Sequence, residues 1–139
     1  KYTAIDGIER NTVFNGNYIF NALGGKEYTF NNGQKVLSVN SRLIYAGGKR
    51  ESPVDIEASR AAGYTIRDYT RTYEDKVPAY FRLDLGVSYK WNKIRSATVV
   101  AINVQNVLGI ENVAFTYYGA ETDKVWNATQ LGMFPNLSY

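Results

Sequence analysis

Between Ala79 and Trp91 apolar and polar positions alternate in register. Ala79, Phe81, Leu83, Leu85, Val87, Tyr89 and Trp91 share one parity; Tyr80, Arg82, Asp84, Gly86, Ser88 and Lys90 share the other. A period of two sends successive side chains to opposite faces of a strand. One face is therefore apolar with aromatics at both ends, and the other is polar with charge of both signs. From Phe81 to Trp91 the strand covers roughly 33 Å, or about 25 Å of rise at a tilt near 40°. That is the height of the lipid-facing band of an outer-membrane barrel, with its two aromatic girdles. A half-buried strand of a soluble sheet alternates too, but it is usually shorter.

The same reading predicts further strands. Tyr18 to Phe30 places Tyr18, Phe20, Ala22, Tyr28 and Phe30 on one parity, with Lys26 as a blemish that a bulge at Gly24-Gly25 would explain. Asn32-Gly33 predicts a hairpin turn, because both positions favour positive φ. Val36 to Ala46 returns, with Leu37, Val39, Ser41, Leu43 and Tyr45 opposite Val36, Ser38, Asn40, Arg42 and Ile44. After a turn at Asn92–Arg95, Ala97 to Val107 pairs back on the long strand. Folding about that turn sets Leu83 near Val104, Leu85 near Ile102, Val87 near Val100, Arg82 near Gln105 and Asp84 near Asn103. A further strand is expected at Ala114 to Tyr118, inside a broken stretch from Leu108 to about Val125. A last strand is expected at Gln130 to Tyr139, where Phe134 interrupts the polar face. Leu83, Leu85, Val87, Val100, Ile102, Val104, Leu131 and Leu137 are the positions expected to face lipid. Ser52-Pro53-Val54-Asp55 predicts a helix start and Gly63 its C-terminal end, inside the long connection Gly47 to Val77. The connections run short, long, short, longer. Bacterial barrels show that alternation, with tight periplasmic turns and long extracellular loops.

Composition narrows the chemistry. The chain has 139 residues, the size of one ordinary domain, and a net charge of +3 too diffuse to argue for nucleic acid. Cysteine and histidine are absent, which excludes disulfides, thiolate chemistry and histidine acid–base catalysis within the chain. Twelve tyrosines fit strands with wet ends or a membrane interface. No apolar run is long enough for a spanning helix, which says nothing against strands that hide their apolar face by alternation.

Four segments together carry a family resemblance: IYAGGKRESPVDIEASRAAG (Ile44 to Gly63), YFRLDLGVSYKWN (Tyr80 to Asn92), VQNVLGIENV (Val104 to Val113) and QLGMFPNLSY (Gln130 to Tyr139). With them the chain resembles the C-terminal end of the barrel of TonB-dependent outer-membrane receptors of the kind abundant in Bacteroidetes. The resemblance implies an all-β fold of antiparallel transmembrane β-barrel strands. Residues 1–139 would be a sector of a 22-stranded barrel in the Gram-negative outer membrane, with an extracellular loop at about 47–77. It implies energy-coupled uptake of a scarce nutrient rather than an enzymatic activity, and no cofactor. The partners it implies are membrane lipid, the remaining strands, a plug domain outside this chain and TonB through an N-terminal part also outside it. A surface lipoprotein partner is compatible with it. A short native terminus beyond Tyr139 is expected.

Two groups of residues are candidates for contact with cargo. Tyr64, Arg67, Tyr69 and Arg71 lie in the long loop, among Lys49, Arg50, Arg60 and Tyr73. They would suit an anionic or sugar-like ligand, although the loop holds six acids against six bases and internal pairing is the plainer expectation. Arg42, Arg82, Asp84, Asn103 and Gln105 share the polar parity and would line the lumen, or pair with each other or with the plug. Glu51, Asp55 and Glu57 are close enough for a hard cation; a solvated loop with a capping acid is expected instead, and likewise at Glu121 and Asp123. The rival fold is a soluble all-β ligand-binding module, in which Leu83, Leu85, Val87, Val100 and Ile102 would face a common interior.

Overall fold

A computed structural model describes residues 1–139. The elements in chain order are β1 (Tyr2–Thr3), β2 (Glu9–Arg10), β3 (Ile19–Phe30), β4 (Lys35–Ala46), β5 (Arg50–Glu51), α1 (Ile56–Ala62), a 3-10 turn (Tyr69–Arg71), β6 (Asp75–Lys76), β7 (Tyr80–Asn92), β8 (Ala97–Gln105), β9 (Val113–Gly119), β10 (Lys124–Thr129) and β11 (Phe134–Ser138). With 53% of residues in strands and 7% helical, the fold is all-β, and its sheets are antiparallel. The chain forms two compact units. One is Lys1–Ile19, Ala46–Tyr80 and Glu111–Gln130; the other is Phe20–Tyr45, Phe81–Ile110 and Leu131–Tyr139.

The second unit is a five-stranded open sheet in the order β11-β8-β7-β4-β3. Its turns follow from local chemistry. Asn32 and Gly33 have φ of 53° and 87°, and the Gln34 amide donates to the Asn31 carbonyl at 3.1 Å. That pair of positive φ values is what a tight hairpin turn demands, and Gly33 meets it without a Cβ penalty. The β7–β8 turn is Lys93–Ser96, closed by the Lys93 amide on the Ser96 carbonyl. The faces are those the alternation predicts, but the β7–β8 register is shifted by two residues. Leu85 stands opposite Val104, Val87 opposite Ile102 and Tyr89 opposite Val100. Because Asn92 pairs with Ala97, the hairpin folds about a later centre. An even shift leaves every side chain on its face.

β11 joins β8 with Leu137 opposite Ile102 and Pro135 opposite Val104. It is an edge strand, where proline is tolerated. It is also shorter than expected: Gln130 to Met133 are outside it, so Leu131 belongs to a connection and not to the sheet face. In β3, Glu27 accepts from the Ser38 hydroxyl of β4 and the Ser41 hydroxyl donates to the Gly24 carbonyl. Glu27 thus keeps the polar parity of Ser38, and Lys26 stays on the apolar face, 5.2 Å over the Tyr28 ring.

The apolar face is bare. Leu85 is 42% exposed, Ile102 53% and Leu137 72%. Aromatic pairs mark both ends of this face: Tyr45 with Phe81 at 6.1 Å, and Tyr89 with Trp91 at 4.4 Å. In the whole chain only Val77 and Tyr118 are buried hydrophobic residues. A water-soluble domain of this length normally buries about two thirds of its chain surface around an apolar core.

The first unit is built from short ladders. β1 pairs with β2, β5 with β6, and β9 with β10. The β9–β10 hairpin sets Tyr117 opposite Trp126 and Tyr118 opposite Val125. Only its first strand was predicted; β10 is too short and too mixed in polarity to signal itself. α1 ends as predicted, with Gly63 at φ 77° and its amide on the Ser59 carbonyl. It begins later than predicted. The N-cap is Asp55, whose side chain accepts from the Ala58 amide at 2.9 Å, while Val54 forms an extended bridge with Arg67.

Gly48 is packed against the carbonyls of Val77 and Pro78 with no room for a Cβ. Gly48→Ala must push backbone rather than a side chain, and is expected to cost about 1–3 kcal/mol. A lowered denaturant midpoint with unchanged slope would be the reading; an unchanged midpoint would show that the two segments separate freely.

Candidate functional site

Two concave surfaces, one in each unit, carry the predicted residues other than Arg71. The polar face of the sheet brings together Arg42, Arg82, Asp84, Asn103 and Gln105, all five lumen-lining candidates, around an open concavity of about 620 Å³. Alternation on β4, β7 and β8 delivers them there. Arg82 grips Asp84 with both arms, Nε to Oδ1 at 2.6 Å and Nη2 to Oδ2 at 2.8 Å, and Nη2 also donates to Gln105 Oε1 at 3.0 Å. Asp84 Oδ1 accepts in addition from the Asn106 amide at 2.9 Å. The alternative of mutual pairing therefore describes Arg82 and Asp84. Arg42 lies near enough to feel Asp84 electrostatically. Asn106, which the pattern did not single out, anchors the end of β8. It is buried, has φ 51°, donates to the Ile110 carbonyl at 2.8 Å and accepts from the Ile110 amide at 3.2 Å.

In the other unit the four loop candidates part company. Arg67 turns inward. Its Nη1 donates to the Ser52 carbonyl at 2.7 Å, its Nη2 donates to the Thr116 carbonyl at 2.6 Å, and Nη2 stands 3.4 Å from Glu51 Oε2. Glu51 is not the solvated loop acid that was expected. It is buried and accepts from the Thr116 amide at 3.2 Å and from the Thr116 hydroxyl. Ser52 is buried too, its hydroxyl accepting from the Tyr73 amide, and it lies before the extended Val54 rather than at the helix cap. Arg71 pairs with Glu74 at 2.7 Å. Arg60 forks onto Asp123, which also accepts from the Tyr118 phenol at 2.7 Å. The Arg60 guanidinium and this phenol hold the Asp123 carboxyl below the usual range, and the bond to Asp123 raises the Tyr118 phenol. Asp123 is thereby a structural partner, and no cluster of three acids meets in a cation-binding geometry.

Tyr64 and Tyr69 remain outward, 65% and 73% exposed. They line a cleft of about 450 Å³ with Thr65, Ile66, Arg67, Phe115, Thr116 and Tyr117. Phe115 and Tyr117 sit on the outer face of β9 in edge contact, 6.4 Å between centroids. Of the Glu51–Arg67–Thr116 network, Arg67 and Thr116 line the cleft, together with four aromatic rings. Chemically the cleft offers flat apolar surfaces and phenol hydroxyls, and no nucleophile–base pair. Compared with protein-family models, curated proteins and solved structures, the chain matches none.

Proposed function

We propose that this chain is a wall sector of an outer-membrane β-barrel receptor that takes up a scarce nutrient, coupled to TonB through parts outside these residues. The observation that carries the reading is the open antiparallel sheet with one polar face and one uncovered apolar face, in a chain that buries almost no hydrophobic side chains. Lipid is the solvent that suits such a face. The aromatic pairs at its two ends have the placement of interfacial girdles. β3 and β11 are left as edges, and closure into a barrel is the arrangement that removes edges. The tight turns Asn31–Gln34 and Lys93–Ser96 lie at one end of the strands, and the long connections leave from the other, as in barrels with periplasmic turns and extracellular loops. On this reading Arg42, Arg82, Asp84, Asn103 and Gln105 line the lumen, where a plug would sit. The four segments that resemble TonB-dependent receptors support the coupling.

Single cysteines at Leu85, Val87, Ile102 and Leu137 test the reading in the protein assembled in vesicles. They should react with bilayer-soluble maleimides and resist charged aqueous ones, while cysteines at Ser88 and Asn103 should do the reverse. Preferential aqueous labelling of the first set would overturn the membrane assignment and leave a soluble all-β module.

A further inference from the structure

We propose that the hairpin-turn end of the five-stranded sheet is a docking surface for anionic phospholipid headgroups, with Lys35, Lys93 and Arg95 as their partners. The inference deepens the receptor reading and rests on it in one respect, that the apolar face of the sheet meets a bilayer.

The two tight turns form one platform. The Asn92 amide donates to the Gln34 carbonyl at 2.7 Å, and the Asn92 side-chain nitrogen donates to the Gly33 carbonyl at 2.9 Å. Asn31–Gln34 and Lys93–Ser96 are thereby held side by side, with an open concavity of about 1020 Å³ between them. The charge here is of one sign. Lys35, Lys90, Lys93 and Arg95 lie in these turns or within three residues of them, and none is in an ion pair. The acids of this unit are Glu27 and Asp84. Asp84 is committed to Arg82 further along β7, and Glu27 accepts from the Ser38 hydroxyl on the polar face. Cations gathered on two adjoining turns and left without counter-charge raise the local potential and draw an anion.

The place of the platform selects the kind of anion. Tyr28 and Phe30 of β3 and Tyr89 and Trp91 of β7 stand at this same end of the strands, on the apolar parity. Such rings mark the boundary between acyl chains and headgroups, and both turns begin within two residues of them. Lys35 shares the parity of Leu37 and Val39 on β4. A long cationic side chain at that depth lays its stem on apolar surface and extends its head to the phosphates. Between Lys93 and Arg95 stands Ile94, 103% exposed. A free phosphate or a nucleic acid would satisfy the cations and leave Ile94 in water. An apolar side chain bracketed by cations seats instead where headgroups meet acyl chains. Lys90 differs from the other three. It has the parity of Ser88 and belongs to the polar face, so it serves as an internal control.

The test uses the whole protein assembled in vesicles, with Trp126→Phe introduced so that Trp91 is the sole tryptophan reporter. The vesicles hold equal parts phosphatidylcholine and phosphatidylglycerol, with bromine on the acyl chains of one lipid or the other to quench Trp91. Brominated phosphatidylglycerol should quench as though enriched roughly fivefold beside Trp91, the factor that one cation near an anionic lipid surface corresponds to. Added salt should lower the enrichment. Lys93→Gln combined with Arg95→Gln should abolish it, Lys35→Gln should reduce it, and Lys90→Gln should leave it unchanged. Glycerol phosphate in solution, a headgroup without chains, should not displace it. Equal quenching by the two lipids overturns the proposal and leaves the membrane assignment standing, whereas quenching by neither overturns both. An enrichment that Lys90→Gln lowers as far as the double variant does, or that glycerol phosphate displaces, marks a general anion site and overturns the proposal as well. So does binding of soluble polyglutamate without lipid enrichment, which would give the surface to an acidic protein segment.

Discussion

Leu85→Arg is expected to destabilise the assembled protein by about 2–4 kcal/mol, the cost of a charge near the bilayer midplane on the lipid face of a barrel. Leu85 lies mid-strand on the bare face of β7, opposite Val104 and 42% exposed. If that face met water instead, arginine there would be close to neutral, within about 0.5 kcal/mol, so the size of the effect discriminates between the two solvents. Ser88→Arg is the matched control, since Ser88 has the opposite parity and is paired with Ala101. It should cost well under 1 kcal/mol, as polar-face substitutions do. Asp84 would be a poor control, because its carboxylate holds Arg82 and the Asn106 amide together. Equilibrium unfolding in vesicles measures both variants; equal penalties would contradict the assigned faces.

Arg67→Met should cost about 2–4 kcal/mol in the first unit, because it strands the Glu51 carboxylate in a largely dry place. Glu51 has a side-chain exposure of 10% and Arg67 of 21%, so the figure is set below that of a fully buried pair. The Thr116 amide, which donates to Glu51, should exchange its hydrogen about a hundredfold faster if it opens with that network. Arg67→Lys should not restore protection, since an ammonium cannot reach the Ser52 and Thr116 carbonyls as a fork does. Arg67→Met with Glu51→Leu should recover part of the loss. Unchanged exchange in the single variant would remove Arg67 from the framework and return it to the loop candidates for contact with cargo.

The strand faces were legible in the sequence because a period of two survives any error in where a turn is centred. The register was not: Leu85 was expected opposite Ile102 and stands opposite Val104, since the sequence does not say which turn residues count as strand. The residues that meet in the polar-face concavity were legible by the same parity. The aromatic cleft was half legible. Tyr64 and Tyr69 stand out in the loop, but Phe115 and Tyr117 come from a segment about fifty residues on, and nothing local announces that they meet. Glu51 looked like a surface acid because its partners, Thr116 and Arg67, are not its sequence neighbours. The helix start was displaced for a related reason: Val54 is held extended by a bridge to Arg67, also a distant residue.

The two-residue ladder of β5 and β6 pairs Arg50 with Lys76 and Glu51 with Asp75, and Val77 donates its amide to the Lys49 carbonyl. It ties off the excursion between Ala46 and Tyr80 near its base. Each flanking hairpin can form from local contacts within microseconds, but joining β4 to β7 must first overcome the entropy of closing that excursion. Once the knot is tied, the effective chain separation between the two hairpins falls to a few residues. The small ladder is therefore a clasp on the folding route. Weakening it is expected to slow the assembly of the five-stranded sheet more than its few hydrogen bonds would suggest, and to lengthen the time during which two unpaired strand edges stay exposed to other chains.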